Sequence, residues 1–315
     1  MSWESTLKKI TSDTALKAAA EWVDKPINLR LINNQINCVY RFEYQNKGYY
    51  LRITHEKIRS FEDVAAAIDF QNHLFQKNAP VPQPVQSKHH RFIECIRQDE
   101  LEFFVHVCFE VPGNIMHFNH TEKSTYHTWG KSLALLHLAS QSYHPKENIF
   151  KSWEDLWQET GDYAKQESPQ IQYLHQQINA WFTKAPRTQS NFGLTHADHR
   201  QGNVLYDGQQ VHIIDFDEPV YHWFMTDIAR PLLDLCNEPQ EKWKPLFDLY
   251  VEGYRSVLPI SNDDLKALNW CVQMKSLDIY LWCKNNWFEE TAPGGKSRDQ
   301  WLSELKQMAL TPLFN

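Results

Sequence analysis

"THADHRQGNVLYDGQQVHIIDFDE", Thr195 to Glu218, gathers five acidic residues, several histidines, an arginine and an asparagine around one apolar strand. Within it, "NVLYDGQQVHIID" reads as two short strands about an Asp-Gly turn. Such a hairpin can carry Asp215, at the end of its second strand, back towards Asp198 and Asn203 in the preceding loop. Two carboxylates and an amide oxygen with no soft ligand beside them make a hard-oxygen set. That set suits Mg²⁺, which keeps several waters and is commonly completed by substrate phosphates. Taken as plain local structure, Asp198 and Asn203 are loop-turn residues and Asp215 is a strand-end cap.

On either side of this stretch the texture differs. From Ile27 to about Val111 come short β-type runs, "INLRLI", "VYRFEY", "YYLRIT", "RFIECI" and "LEFFVHVCFEV". The second and third are joined by "QNKG", where Asn46 to Gly48 supply turn chemistry for an antiparallel hairpin. One helix interrupts the series, capped by Ser60 with Asp63 at the capping-box spacing and stopped by "NAPVPQP". After Pro112-Gly113 the periodicity is helical through Tyr126 to Ala139, Trp153 to Ala164, Gln170 to Trp181 and most of Ile228 to Leu310. The expected organisation is α+β, with a small antiparallel β lobe carrying one main helix over 1–111 and a large, mostly helical lobe over 112–315.

Composition narrows the function. The 315 residues carry a net charge of −7, which argues against nucleic acid as partner, since a basic face is expected there. Lys8, Lys9, Asp13 and Lys17 leave the start of the chain without an apolar core, and no later run approaches membrane-spanning length. A cytoplasmic protein with no membrane partner is expected. The six Cys show no C-x-x-C pair, which fits buried free thiols in a reducing compartment. His199 is expected at the surface and His212 in the core.

"HADHRQGN" followed by "IIDFDEP" resembles the H-G-D-x-x-x-x-N and I-D-x-D/E pair of the aminoglycoside phosphotransferase and choline kinase family, which shares the bilobal protein-kinase-like fold. The resemblance implies ATP and Mg²⁺ as cofactors. It implies that Asp198 orients the acceptor hydroxyl and accepts its proton, that Arg200 faces the transferred phosphoryl, and that Asn203 and Asp215 hold Mg²⁺. His196 would support the loop from behind. In the small lobe, "NNQINCVYRFEYQNKGYYLRI" stands in the place of the phosphate-covering hairpin, with Arg52 as the strand cation. Its loop lacks Gly, so residues from Asn33 to Asn37 would contribute amides or a left-handed Asn; Asn37 is the candidate. Where the family places a helix glutamate to pair with the strand cation stands Ala67, one turn beyond Asp63. "FEVPG" resembles the segment whose backbone receives adenine, with Phe109 and Val111 nearest. Asp227, in "DIARPLLDL", is assigned to architecture.

The acidic, Trp-rich C-terminal part fits a cationic acceptor such as an aminoglycoside, choline or an amino alcohol. Asp217 and Glu218 are the candidate acceptor contacts. The leading reading is phosphoryl transfer from ATP to a hydroxyl of a small molecule. A Ser/Thr protein kinase and a nucleotide-binding regulatory protein with weak catalysis remain beside it.

Overall fold

The computed structural model describes residues 10–313 other than 35, 99, 118–121, 148, 237, 288–289 and 293–294; Lys8, Lys9 and Gln35 lie outside the described residues. The chain divides into two compact units, one of 1–114 with 143–150 and 205–217, the other of 115–142, 151–204 and 218–315.

In the first unit, strands β1 (Ile27–Asn34), β2 (Cys38–Tyr44), β3 (Lys47–His55), β4 (Pro84–Val85), β5 (Ile93–Gln98) and β6 (Leu101–Phe109) form one antiparallel sheet in the order β1-β2-β3-β6-β4, with β5 also paired to β6. Side chains alternate across a strand, so the sheet has two chemically distinct faces. One buries Tyr40, Phe42, Leu51, Ile53, Phe103, Val105 and Val107 against helix α1 (Ser12–Ala19), whose Ala15, Ala18 and Ala19 allow close approach. The other carries Val39, Arg41, Tyr50, Arg52, His106 and Cys108, in register across β2, β3 and β6. Helix α2 (Phe61–Gln76) begins at the expected capping box: Ser60 Oγ accepts from Asp63 N, and the Asp63 carboxylate accepts from Ser60 N.

Two features of this unit depart from the sequence expectation. The β2–β3 turn rests on Gln45 and Asn46, at φ 51° and 60°, while Gly48 lies inside β3. Asparagine tolerates the left-handed region, which frees the glycine for another task. A Cβ on Gly48 would stand 1.8 Å from Glu110 Oε2. Helix α1 was not anticipated, because its apolar positions are alanines and give a weak helical signal.

The second unit is mainly helical, with α3 (Lys123–Ser140), α4 (Trp153–Ala164), α5 (Pro169–Lys184), α6 (Phe224–Ala229), α7 (Leu232–Leu235), α8 (Gln240–Arg255), α9 (Asn262–Lys266), α10 (Leu268–Asn286) and α11 (Arg298–Leu310). Helices α3 and α8 meet through Gly130 and Gly253: a Cβ on either would sit 1.8 Å from a carbonyl oxygen of the other helix. Short strands β7 (Asn114–Ile115), β8 (Phe192–Thr195), β9 (Val204–Tyr206), β10 (Val211–Ile213) and β11 (Val220–Trp223) complete the chain. The β9–β10 hairpin matches expectation, with Asp207 Oδ1 accepting from Gln209 N and Gln210 N. The antiparallel β8–β11 pair does not follow from local sequence, since each strand has only four residues.

Two histidines exchange their expected environments. His199 is fully buried between Trp129 and Tyr250, and His212 is part-exposed beside the Asp207 carboxylate, 3.0 Å away. Cys38, Cys108, Cys271 and Cys283 are buried and outside any disulfide, as expected, whereas Cys236 is part-exposed and Cys95 exposed. Among the described residues no helix is long and apolar enough to cross a membrane.

Candidate active site

In the second unit, the segment after β8 is fixed by Asp227 on α6. Its carboxylate, 1% exposed, accepts from His196 N (2.7 Å) and Ala197 N (2.8 Å), with His137 Nε2 3.1 Å away. His137 Nδ1 lies 2.8 Å from the Tyr254 hydroxyl. Burial alone would raise the Asp227 carboxyl, but the His137 hydrogen bond and the surrounding imidazoles outweigh it and hold the group well below the usual carboxylate range. Ala197 has φ 69°, a left-handed conformation that costs a non-glycine residue roughly 1–2 kcal/mol. The bond to Asp227 holds that turn and aims Asp198 outward. His196 is buried, and its Nδ1 accepts from Asp198 N at 3.3 Å.

Asp198 is held on both oxygens. Oδ1 accepts from Arg230 Nε (3.0 Å) and lies 2.9 Å from Arg230 Nη2; Oδ2 accepts from Arg200 Nε (3.2 Å) and Asn203 Nδ2 (3.0 Å). Asn203 Nδ2 also donates to the Asp198 carbonyl at 2.9 Å. With its nitrogen committed, the Asn203 amide presents its oxygen elsewhere. Arg200 folds over Gly202, where a Cβ would stand 2.9 Å from Arg200 Nη1. Arg230, whose side chain is 9% exposed, was not singled out by sequence. The available signal was an arginine inside an otherwise apolar helical run, since a buried guanidinium needs a carboxylate.

Burial raises the Asp198 carboxyl, and Arg230, Lys275 and Arg200 more than reverse this, so the group stays ionised below the usual carboxylate range. Removing Arg230 as Arg230→Met weakens that opposition. The acid limb of a kcat/KM profile should therefore move to higher pH, with kcat reduced roughly ten-fold through lost positioning. An unmoved limb would show that Arg230 does not set the Asp198 charge.

In the first unit a second cluster forms around Arg52. Its Nη2 lies 2.9 Å from Asp215 Oδ1 and donates to Asp217 Oδ2. Asn37 Nδ2 donates to the same Asp217 oxygen at 2.7 Å, and Asn37 Oδ1 accepts from Thr54 Oγ1 at 2.8 Å. Arg59 donates to the Asp217 carbonyl. Asp63 is absent from this group because its carboxylate is committed to Ser60, so the strand cation pairs with the segment after β10. Asp215 has φ 74°, and among the described residues of the Asn33–Asn37 loop none adopts a left-handed conformation. A carboxylate at Asp215 and an amide oxygen at Asn203 are donors of the kind a hard divalent cation takes.

Phe109 and Val111 line a cavity of about 510 Å³ with Phe75, Gln83, Gln210 and His212, and neither Asn37 nor Arg52 borders it. Between them, Glu110 is gripped by Arg41, Nε to Oε1 and Nη2 to Oε2 both at 2.7 Å. Glu218 is exposed.

The family model described as the phosphotransferase enzyme family matches residues 28–260. The chain belongs to the phosphotransferase enzyme family. Like that family, it is a phosphotransferase with an alcohol group as acceptor. Amicoumacin kinase of Bacillus subtilis strain 168 is 25% identical over 229 residues, 71% of this chain and 68% of that protein. An amicoumacin kinase solved in complex with AMP-PNP, Ca²⁺ and Ami superposes with a TM-score of 0.84 at 21% identity, covering 99% of this chain and 97% of the other. A microcompartment-associated aminopropanol kinase gives a TM-score of 0.77 at 19% identity, covering 95% of each. The structural likenesses establish the protein-kinase-like fold of this phosphotransferase.

Proposed function

We propose that this phosphotransferase uses ATP and Mg²⁺ to phosphorylate a hydroxyl of a small, amine-bearing molecule. The observation that carries the reading is the Asp198 carboxylate, held anionic and oriented by Arg230, Arg200 and Asn203 on a turn pinned by Asp227. A carboxylate so held accepts a hydroxyl hydrogen bond and takes the proton as the oxygen attacks phosphorus. The new O–P bond forms as the bond from the γ-phosphorus to its bridging oxygen breaks, and the electron pair leaves with ADP. Arg200 faces the transferring phosphoryl, Arg52 and Asn37 hold phosphate, and the main chain at Phe109 and Val111 receives adenine. Asn203 and Asp215 would hold the Mg²⁺, which supplies charge neutralisation on the phosphates. In this reading 1–111 covers the nucleotide and 112–315 carries the acceptor, with Glu218 as the candidate contact for an acceptor ammonium. The name of the aminopropanol kinase supports an amine-bearing acceptor.

Calorimetry and thermal melts with Mg-ATP test the nucleotide step. At a hundred-fold excess over Kd the folded state should gain about 2.7 kcal/mol. Neither heat nor a melting shift would remove the basis of the reading. ADP release is then measured against amino alcohols, aminoglycosides, sugars and protein substrates, and turnover confined to protein would favour the Ser/Thr kinase instead.

A further inference from the structure

Arg52 stands on the polar face of the sheet, directly across from Val39 on β2 and His106 on β6. A largely buried guanidinium there requires a carboxylate. Among the described residues its ion pairs are with Asp215 and Asp217 and not with helix α2, where Ala67 is apolar, Asp63 is committed to its cap and Asp69 accepts from the Tyr143 hydroxyl. The carboxylate comes from Asp217, whose Oδ2 accepts from Arg52 and Asn37, with Arg59 Nη2 3.9 Å away. Asn37 is locked by Thr54, two residues beyond Arg52 on the same face of β3. Arg52 Nε has no acceptor among the described residues, so the guanidinium keeps donor capacity after Nη2 is anchored.

These surroundings suit a second carboxylate role better than acceptor binding. With two arginines and an amide already on Asp217, an acceptor ammonium would meet like charge beside its intended partner. The arrangement does what a helix carboxylate does for a strand cation: it fixes the direction of the guanidinium, and through Asn37 it ties the β1–β2 loop to the segment that carries Asp215. We propose that Asp217 is a positioning residue for Arg52, replacing the absent helix glutamate, and not an acceptor contact. The inference rests on the proposed role of Arg52 in holding nucleotide phosphate.

The test compares wild type, Asp217→Asn, Arg52→Ala and the double variant by calorimetry with Mg-ATP and with adenosine, and measures acceptor KM at saturating Mg-ATP. Asp217→Asn should weaken Mg-ATP about ten-fold and leave adenosine affinity and acceptor KM unchanged. The double variant should bind Mg-ATP within about two-fold of Arg52→Ala alone, because both substitutions break one interaction. A raised acceptor KM with unchanged Mg-ATP affinity overturns the proposal, and so do losses that multiply in the double variant. If melting curves show that Asp217→Asn does not fold, Asp217→Glu carries the comparison, with a few-fold loss for Mg-ATP and none for the acceptor. An unchanged Mg-ATP affinity in Arg52→Ala would instead remove the phosphate role of Arg52 itself; unchanged affinity in Asp217→Asn alone removes only its positioning by Asp217.

Discussion

Asp198→Asn should lower kcat by a factor of about 10²–10⁴, the usual contribution of a positioned general base, while Mg-ATP affinity stays within about two-fold. The substitution keeps the shape of the side chain, and its one remaining oxygen accepts either from Arg230 or from Arg200 and Asn203, not from both sides as the carboxylate does. It places either the amide oxygen or the amide NH₂ against Arg200 and Asn203, and neither form can take a proton from a hydroxyl. Single-turnover kinetics separate the two effects. If nucleotide affinity falls in parallel with kcat, Asp198 acts through the phosphates and its assignment to the acceptor is wrong.

Asp227→Ala should be the most destabilising single change in the second unit, by about 3–5 kcal/mol, the scale for removing one partner of a buried pair. It strips the acceptor from His196 N and Ala197 N and leaves His137 Nε2 without its carboxylate. It also releases the bond from Ala197 N that holds the left-handed turn, so kcat should fall with stability. The pH signature has a definite sign. The folded-state carboxyl lies below its unfolded value of roughly 3.9, so its stabilisation is complete above that pH and is lost as pH falls towards the folded value. Urea melts from neutral to acidic pH should therefore converge for wild type and Asp227→Ala at the acid end. A gap that stays constant on acidification would show that ionisation of Asp227 is not what holds the loop.

Much of the fold was legible because its signals are local. The Ser60–Asp63 capping box, the Trp153–Ala164 helix and the alternation in β2, β3 and β6 each follow from residues a few positions apart. The poly-alanine face of α1 and the four-residue strands β8 and β11 carry too few apolar or β-branched positions to register at that range.

The candidate site divides along the same line. The sequence by itself placed Asp198 and Asn203 on a loop and Asp215 beyond the Asp-Gly hairpin, since their spacing and that turn are properties of one short stretch. It also determined which strand bears a cation. Only the tertiary structure decided what each charge faces. Arg52 pairs with a carboxylate 165 residues away and not with Asp63 on the next helix, because the capping bonds of Ser60 take that side chain first. Asp198 receives Arg230, 32 residues on, because Asp227 brings the start of α6 against the loop. A charge is neutralised by whatever the packed chain brings within a few ångströms, and no periodicity along the sequence records that distance.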